Sequence, residues 1–353
     1  MPIIKVNAAI HTASIKTFYL EQTMKAIAVA NTVLQDVEIA VPVASGHDLL
    51  VKIEAVSVNP VDTKVRAGEA ADAAPRVLGW DAAGTVTAVG PDVTLFKVGD
   101  AVYYAGSIVR PGANSEFHLV DERIVGRKPA SLDFNHAAAL PLTSITAWEA
   151  LFDRLAIRRD GADAGKRALI IGGAGGVGSI AIQLAKQLAG LTVIATASRP
   201  ASAQWVRERG ADHVIDHNGD MAAQLLALQI ASVDYVLCLS DTDPHFDAIA
   251  QVIAPQGKVV SIVHNTAPLD MDQLFAKSVT WVWEMMFTRS MFGTPDMIEQ
   301  HQLLDEVAAL IDAGKLKTTL GEVYGKISAA NLRRAHEALE SRRTIGKIVL
   351  SGF

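Results

Sequence analysis

The glycine-rich stretch at residues 167–186 constrains the fold of this chain more than any other feature. A short apolar run leads into glycines spaced as G-x-G-x-x-G, and a helical apolar pattern follows. In a strand, turn and helix unit of this kind, the glycines let backbone N–H groups approach a pyrophosphate at the positive helix end. The stretch therefore predicts dinucleotide binding, with a purely structural turn as the alternative. The predicted cofactor-binding residues of the turn are Gly173, Gly175, Gly176, Val177 and Gly178.

Composition limits the partners and the compartment. The chain has 353 residues, enough for two hydrophobic cores, and a net charge of −6. With an isoelectric point near 5.9, no basic surface for nucleic acid or an anionic membrane is expected. The single cysteine, Cys238, excludes an internal disulfide and a cysteine-rich zinc cluster. Residues 1–23 lack the apolar core of a signal peptide, so we interpret them as an N-terminal extension of a cytoplasmic protein.

Residues 24–146 carry short strand-like runs separated by turn residues. These runs lie at 25–30, 49–56, 83–90 and 100–105. Glycines and prolines recur at their ends, as the tight corners of a barrel require. A helical pattern over 133–155 follows and is expected to link this part to the next. The pattern predicts a β-rich, barrel-like first domain.

Strand-like and helical patterns alternate through residues 147–288. Helices are predicted at 200–209, 220–229 and 243–253, between strand-like runs at 192–196, 213–216, 233–239 and 258–263. This rhythm predicts a parallel, doubly wound sheet as the second domain of an α/β protein. We assign residues 289–353 back to the first domain, with predicted helices at 295–313 and 329–341 and strands at 320–324 and 346–350.

Several ordered motifs carry a family resemblance. They are VNPVD at 58–62, LGWDAAGTV at 78–86, VGDAV at 98–102, AALPLT at 138–143, the glycine turn, GADHVI at 210–215 and GKIVL at 346–350. Over residues 24–353 the chain resembles the zinc-free, quinone oxidoreductase-like branch of the medium-chain dehydrogenase/reductase superfamily. The resemblance implies a GroES-like catalytic domain, a Rossmann domain, NADPH in the cleft between them, and reduction of quinones or activated alkenes. It also implies a homodimer, often built through the edge of the Rossmann sheet.

The departures from the zinc members of that superfamily concern metal ligands. Those members place a cysteine within the segment that is 58–62 here and a histidine at the position of Trp80, and they carry a four-cysteine lobe. None of these residues is present in this chain. We therefore predict that no metal is bound. A tyrosine common in the family is replaced here by Lys64, so a contact between that tyrosine and the substrate cannot be carried over.

Two residues near the start of the chain are the catalytic candidates. Asn59 precedes a proline, which favours a turn or extended backbone and can expose an amide in a loop. The resemblance places Asn59 beside the nicotinamide, whereas the alternative is simple turn chemistry. Lys64 could donate to a developing enolate, and the alternative is a solvated surface cation. Asp62 is expected to cap the helical turn that follows it rather than to do chemistry.

The remaining cofactor candidates follow predicted strands or rest on the resemblance. The strand at 192–196 ends at Ser198 and Arg199 without a carboxylate, which predicts a preference for the 2′-phosphate of NADPH. By resemblance Thr146 lies at the nicotinamide end, but its hydroxyl could equally bond its own helix backbone. The further predicted contacts are His217 at the adenine or ribose, Leu239, Val263 and His264 at strand ends, and Lys347 in the GKIVL motif.

The run at 281–292 is unusually rich in aromatic residues and methionine. It could line a substrate pocket or a dimer seam, and buried core is the alternative. Taken together, the sequence predicts an NADPH-dependent, zinc-independent oxidoreductase that transfers hydride to a quinone or an activated enone, a small-molecule substrate. The alternatives are an NADP-dependent alcohol dehydrogenase or carbonyl reductase, and a non-catalytic nucleotide-binding protein.

Overall fold

The computed structural model describes residues 22–70 and 74–353. The predicted N-terminal extension at 1–23 therefore lies outside the described residues, apart from its last two positions. The described chain contains a six-stranded parallel sheet, a seven-stranded mixed sheet and a three-stranded antiparallel sheet, with helices packed around them. The predicted α/β class is confirmed. No helix of the described residues is long and apolar enough to cross a membrane.

The first part of the chain is built mainly of strands. Its strands are β1 (Thr23–Ala30), β2 (Val33–Ala40), β3 (Asp48–Ser57), β4 (Arg76–Val77), β5 (Ala82–Val89), β6 (Ala101–Tyr104), β7 (Phe117–Asp121) and β8 (Val125–Arg127). A nine-residue helix, α1 (Pro60–Gly68), follows β3, and a short 3₁₀ turn (Glu122–Ile124) precedes β8. Strand β3 is central, because it pairs antiparallel with both β5 and β7. The expected strands over 25–105 are therefore present.

The single helical segment expected over 133–155 is divided into three elements. They are α2 (Phe134–Ala138), α3 (Pro141–Trp148) and a π-helix (Glu149–Arg154). Pro141 occupies the first turn of α3, where its missing N–H group is not needed, but it cannot continue a preceding helix. The π-helix is a wider winding that the apolar periodicity did not indicate.

The middle part of the chain forms the six-stranded parallel sheet and the helices that connect its strands. Its elements are β9 (Arg167–Ile171), α4 (Gly176–Ala189), β10 (Thr192–Thr196), α5 (Pro200–Glu208), β11 (His213–Ile215), α6 (Met221–Ala227), β12 (Val233–Cys238), α7 (Phe246–Val252), β13 (Ile253–Ser261), α8 (Asp272–Phe275) and β14 (Thr280–Trp283). The strand order is β11-β10-β9-β12-β13-β14. The first strand, β9, thus lies between β10 and β12. This is the point where the strand order of a doubly wound sheet reverses.

The C-terminal part returns to the mixed sheet. Its elements are α9 (Thr288–Phe292), α10 (Glu299–Asp312), β15 (Leu320–Val323), α11 (Ala329–Glu340) and β16 (Lys347–Ser351). Strand β16 pairs antiparallel with β3, with Val349 opposite Ser57. Helix α10 begins at Glu299 rather than at 295, because the preceding residues form turns such as the Met297 N–H to Thr294 carbonyl bond of 3.0 Å. The domain boundaries at 146/147 and 288/289 stay predictions.

Gly84 offers a direct test of the packing of β5 on β3. A Cβ atom at this position would lie 2.1 Å from the carbonyl oxygen of Lys52, which is backbone and cannot swing away. We expect Gly84→Ala to lower the free energy of unfolding by about 1–3 kcal/mol through overpacking. Urea denaturation followed by circular dichroism measures the change.

Gly68, the last residue of α1, is the matched control, since a Cβ built there meets no atom within 4 Å apart from its chain neighbours and its own helix backbone. We expect Gly68→Ala to change the free energy of unfolding by no more than about 0.5 kcal/mol. Equal losses for the two variants would contradict the close approach of β5 to β3.

Candidate active site

The glycine turn, residues 172–178, connects β9 to α4. Gly172 has a φ of +87°, which favours glycine, and Gly175 is the N-cap of α4 without a side-chain cap. The first regular bond of the helix runs from the Ser179 N–H to the Gly175 carbonyl at 2.9 Å. The N–H groups of the first turn have no partner within the helix, so they point out of its positive end. A phosphate group fits this arrangement of donors.

Close contacts with backbone and side-chain atoms explain why glycine occupies three positions of the turn. A Cβ atom on Gly178 would lie 2.5 Å from the Gly172 carbonyl oxygen, and one on Gly173 would lie 2.9 Å from the Cβ of Ala195. At Gly176 a Cβ atom would lie 2.7 Å from Cδ of Lys347. The predicted strand, turn and helix are present. Side chains at these glycine positions would collide with neighbouring atoms, so the turn requires glycine.

The carboxyl ends of the parallel strands bring most of the predicted cofactor residues to one edge of the sheet. Since all six strands run in the same direction, residues that follow them lie on the side of the glycine turn. These residues are Ser198 and Arg199 after β10, His217 after β11, Leu239 after β12, and Val263 and His264 after β13. Their place at this edge follows from the sheet, whereas their role in binding stays a prediction.

The loop after β10 contacts the C-terminal part of the chain. Ser198 is exposed, and Arg199 is the N-cap of α5, followed by Pro200 in the first turn. The Arg199 guanidinium donates a 2.7 Å hydrogen bond to the backbone carbonyl of Arg343. The side chain of Arg342 forms an ion pair with Asp241, beyond β12. Sequence reasoning missed this pair of arginines, although two adjacent cations before the GKIVL motif are a visible signal.

His217 lies against a second histidine. Its ring is edge-on to His245, with the ring centroids 6.0 Å apart. Nδ1 of His217 is buried and has no hydrogen-bond partner among the described residues. Burial, and after it the nearby His217, lowers the pKa of His245. The rings of His217 and His245 thus pack together beside the strand ends, and His264 is exposed at the same edge of the sheet.

Asn59, Asp81 and Lys347 form a buried cluster under the glycine turn. Nζ of Lys347 contacts Oδ2 of Asp81 at 3.0 Å, donates to the Val58 carbonyl at 2.8 Å, and donates to Oδ1 of Asn59. Nδ2 of Asn59 donates to Oδ2 of Asp81 at 3.0 Å. Oδ1 of Asp81 accepts from the Leu142 N–H at 3.0 Å. Burial, the largest effect, raises the pKa of Asp81, while Lys347 opposes the rise.

The cluster changes the interpretation of Asn59. The sequence pattern allowed an amide exposed in a loop, but Asn59 is only 1% exposed and both ends of its amide are bonded within the protein. Little of the amide is therefore open to a nicotinamide or a substrate. Lys347, predicted to bind the cofactor, is likewise 4% exposed and directed into the cluster. Asp81 was not singled out from the sequence.

Asp62 has a structural role, but it is the third residue of α1 rather than the predicted cap that precedes a helical turn. Its Oδ2 accepts a 2.8 Å hydrogen bond from the Asn59 N–H, so it caps the start of α1. Burial raises the pKa of Asp62 to about 7, against the lowering effects of the Asn59 hydrogen bond and of Lys347. Asp62 therefore places a second buried carboxyl near the single ammonium group of the cluster.

Two further predicted residues do not join the cluster. Lys64 is exposed on α1, and no hydrogen bond or ion pair links its side chain to another described residue. This placement corresponds to the solvated cation that was the alternative. Thr146 is buried in α3, and its hydroxyl donates to the Leu142 carbonyl at 2.8 Å, as the backbone alternative expected. Neither side chain hydrogen-bonds to Asn59, Asp81 or Lys347.

The aromatic run at 281–292 is partly buried and partly exposed. Phe287 is buried and packs edge-on against Trp80, with ring centroids 6.1 Å apart. Trp283, at the end of β14, is 46% exposed, and Phe292 is 75% exposed. Nε1 of Trp80 is buried without a hydrogen-bond partner among the described residues. Phe287 and Trp80 therefore form a buried aromatic wall, whereas Trp283 and Phe292 belong to an exposed apolar surface.

The described residues contain no group of side chains arranged as metal ligands. Across residues 22–70 and 74–353, no three His, Cys, Asp or Glu side chains are grouped as metal ligands would be. Cys238 is buried in β12, and burial raises the pKa of its thiol to about 12.

The chain matches two protein families in sequence. Residues 45–130 match the alcohol dehydrogenase GroES-like domain, and residues 209–350 match the family described as zinc-binding dehydrogenase. A zinc-type alcohol dehydrogenase-like protein of Staphylococcus aureus is 46% identical over 88% of this chain and 92% of its own length. A quinone oxidoreductase of Pseudomonas aeruginosa is 33% identical over 86% of this chain and 91% of its own length.

Solved structures agree with these sequence matches. A protein of Rhizobium etli described as a zinc-dependent alcohol dehydrogenase is 53% identical, with a TM-score of 0.90 over 94% of this chain and 99% of that one. A mycobacterial protein solved in complex with NADPH is 30% identical, with a TM-score of 0.80 over 93% of this chain and 99% of that one.

The chain belongs to the medium-chain dehydrogenase/reductase superfamily, in its quinone oxidoreductase-like branch. Membership confirms the predicted GroES-like and Rossmann architecture, and it establishes an oxidoreductase of a nucleotide-binding family. In this chain Trp80 packs against Phe287, and Asn59 is bonded to Lys347.

The Lys347–Asp81 pair can be tested by a double-mutant cycle. Removing one partner leaves a buried charge unpaired, so we expect Lys347→Met or Asp81→Asn alone to lower the free energy of unfolding by about 3–5 kcal/mol. The double variant should lose less than the sum of the two single losses. Urea denaturation of all four proteins measures the coupling.

Lys52 supplies the control for this cycle. It forms a 3.2 Å ion pair with Glu54 and is 56% exposed, so Lys52→Met should cost no more than about 1 kcal/mol. Strictly additive losses at Lys347 and Asp81 would contradict a direct buried interaction.

Proposed function

We propose that this chain is an NADPH-dependent, zinc-independent oxidoreductase that delivers hydride to the β-carbon of an activated enone or to a quinone. The observation that carries the proposal is the junction between the glycine turn and the buried cluster. The Gly346 N–H donates to the Ala174 carbonyl at 2.9 Å, which joins the turn to the strand that bears Lys347. A nucleotide bound at the turn would thus lie directly beside the Asn59, Asp81 and Lys347 side chains.

The donors around the turn support a dinucleotide with a 2′-phosphate. The free N–H groups at the start of α4 suit a pyrophosphate, and no carboxylate stands in the loop after β10 to bind a ribose 2′-hydroxyl. Arg199 offers a charged, potentially bidentate donor there, with Ser198 and Arg343 beside it. The mycobacterial relative was solved with NADPH, which favours the same cofactor here. A bound nicotinamide would supply the hydride.

Zinc independence is proposed from the residues themselves, although the names of several relatives refer to zinc. The positions where zinc members carry cysteine and histidine hold the Asn59 segment and Trp80 here. Asn59 is bonded to Asp81 and Lys347, and the tryptophan ring packs on Phe287. An ammonium group at the centre of the cluster is electrostatically unfavourable for a metal cation.

Without a metal to polarise a carbonyl, conjugated acceptors are the favoured substrates. Reduction of a simple ketone needs strong polarisation and a proton donor, whereas conjugation lowers this demand. The protein then has to orient the two reactants, exclude water and stabilise an oxyanion. A carbonyl reductase and a nucleotide-binding protein without catalysis are the rival functions.

A substrate screen separates these three functions. We expect NADPH oxidation to be stimulated by quinones and by α,β-unsaturated ketones, with the saturated ketone as the product of an enone, and little turnover of saturated aldehydes. Absorbance at 340 nm and product analysis by gas chromatography provide the measurements. Allylic alcohols as products would establish the carbonyl reductase, and NADPH binding without any stimulated oxidation would establish the binding protein.

The metal content of active protein completes this test. Activity should persist after dialysis against a chelator, and metal analysis should find no stoichiometric zinc. Zinc at one equivalent per chain, together with activity lost on chelation and restored by zinc alone, would refute zinc independence.

Arg199 provides the prediction for cofactor preference. A charged hydrogen bond contributes about 1.5–3 kcal/mol, so Arg199→Ala should weaken NADPH binding by roughly ten- to a hundredfold. NADH binding should stay nearly unchanged, because that cofactor lacks the 2′-phosphate. Titration of nucleotide fluorescence measures both dissociation constants.

Arg207, exposed in the last turn of the same helix, is the control. Arg207→Ala should leave the affinity for both cofactors within about twofold, since a distant surface charge is screened by salt. Equal losses for NADPH and NADH in Arg199→Ala, or a wild-type preference for NADH, would show that this loop does not bind the 2′-phosphate.

We also propose a homodimer formed through the outer strand β14. This strand is last in the parallel sheet order, and the apolar side chains of Trp283, Met285 and Phe292 are exposed close to it in sequence. Light scattering that gave a monomer mass at micromolar concentration would refute the dimer. A cytoplasmic location is likewise proposed, and cell fractionation would test it.

A further inference from the structure

Two buried glutamates, Glu149 and Glu284, lie close to the segment that carries Phe287. Glu149 begins the π-helix after α3, and Glu284 immediately follows β14. Both side chains have zero solvent exposure. Since carboxylates are rarely buried without partners, the bonding of each oxygen atom decides which charge state these residues carry.

Each carboxyl group is bonded through one oxygen only. Oε1 of Glu149 accepts from Arg289 at 2.7 Å and from Gln300 at 3.0 Å. Oε2 of Glu284 accepts from Nε of Arg154 at 2.7 Å. The other two oxygens, Oε2 of Glu149 and Oε1 of Glu284, are buried and have no hydrogen-bond partner among the described residues. Arg154 contacts both carboxyl groups, with Nε 2.7 Å from Oε2 of Glu284 and Nη2 3.8 Å from Oε2 of Glu149, so the two groups are neighbours.

One proton resolves this arrangement. Two ionised carboxylates in contact repel each other, and two unbonded buried oxygens are unfavourable. A protonated Glu284 can donate its O–H to Glu149, which satisfies both free oxygens at once. Burial, and after it the neighbouring Glu149, raises the pKa of Glu284 in agreement with this geometry.

The charged groups around the pair come from every element packed on it. The π-helix contributes Asp153 and Arg154, α9 contributes Arg289, and the turn before α10 contributes Asp296. Arg289 contacts Glu149, Asp153 and Asp296, so its charge is shared among three carboxylates. Neither arginine hydrogen-bonds to the second oxygen of Glu149 or Glu284, and Arg154 reaches Oε2 of Glu149 only as an ion pair of 3.8 Å.

The cluster holds the segment 284–289 at both ends. Glu284 is bound to Arg154 at one end, and Arg289 is bound to Glu149 at the other. The carbonyl oxygen of Met286 also accepts a 2.7 Å hydrogen bond from Gln300. Phe287 lies between these contacts and packs against Trp80. The position of Phe287 therefore depends on the bonding of the glutamates.

We propose that Glu149 and Glu284 share one proton, and that this shared proton acts as a latch that keeps Phe287 against Trp80. Loss of the proton places a second negative charge in the pair and releases the segment 284–289. Glu284 is thus a positioning residue for the wall beside Trp80. The effect on substrate rests on the function proposed above, whereas the shared proton itself does not.

The variant Glu284→Gln tests the latch, because its amide can donate to Glu149 and accept from Arg154 without titrating. A raised pKa in the folded state means that the folded protein keeps a proton that the unfolded chain releases. Stability of the wild type should therefore be complete below the ordinary glutamate pKa and fall as the pH rises through the raised value. The melting temperature of Glu284→Gln should show a smaller decline over the same range.

Two further measurements follow the segment itself. At pH 10, amide hydrogen exchange in residues 284–292 should be faster in the wild type than in Glu284→Gln, and at pH 7 the two should agree. In turnover assays, KM for the acceptor should rise with pH by up to about tenfold for each unit beyond the midpoint, since only the latched fraction binds. The variant should keep a flat KM profile, with kcat changing less than KM in the wild type.

Glu306→Gln is the control, because Glu306 lies on α10 in an exposed ion pair with Arg159. It should show the wild-type pH dependence in all three measurements. If Glu284→Gln does not fold, Glu149→Gln replaces it, and there the midpoint should move to lower pH because the repelling charge is gone.

The outcomes distinguish the latch from the proposed function. Identical pH profiles for the wild type and the folded glutamine variant would overturn the latch, whether or not the protein turns over substrate. Absent turnover with the expected difference in exchange at 284–292 would refute the proposed function and retain the latch.

Discussion

The buried contact between Lys347 and Asp81 is the interaction on which the candidate site depends. Both side chains are almost fully removed from water, and their ion pair of 3.0 Å is completed by the amide of Asn59 and the N–H of Leu142. A buried charge is tolerated only when paired and hydrogen-bonded. The pair therefore requires β16, the loop before α1 and the start of α3 to meet at one place.

The same lysine links this cluster to the glycine turn. Its aliphatic chain occupies the space where a side chain on Gly176 would lie, and the adjacent Gly346 bonds to Ala174. Gly346 itself has a φ of +64°, and a Cβ atom there would lie 2.5 Å from the Thr319 carbonyl oxygen. The glycine turn and the buried cluster thus constrain each other across the two sheets. A change on either side is expected to alter both.

Most of the fold could be predicted from local patterns. Apolar runs of strand length, separated by helical periodicity, identified every strand of the parallel sheet between β9 and β13, because strands buried on both faces are almost continuously apolar. The failures have local causes as well. Pro141 divided a pattern whose periodicity continues through it, and the π-helix after Trp148 has no distinct sequence signature. The start of α10 depends on turn hydrogen bonds that hydrophobicity does not report.

The candidate site was predictable only where a residue's place follows from a strand end. The glycine turn and Arg199 belong to this class, since sheet direction alone brings them together. The partners of Asn59 do not, because an amide before a proline can face solvent or the interior, and only the burial of Asp81 and Lys347 decides between them. Tertiary burial determines which polar groups are left free for a ligand. A pair such as Lys347 and Asp81 can therefore be identified only in the folded chain, because each of the two buried charges requires the other as its partner.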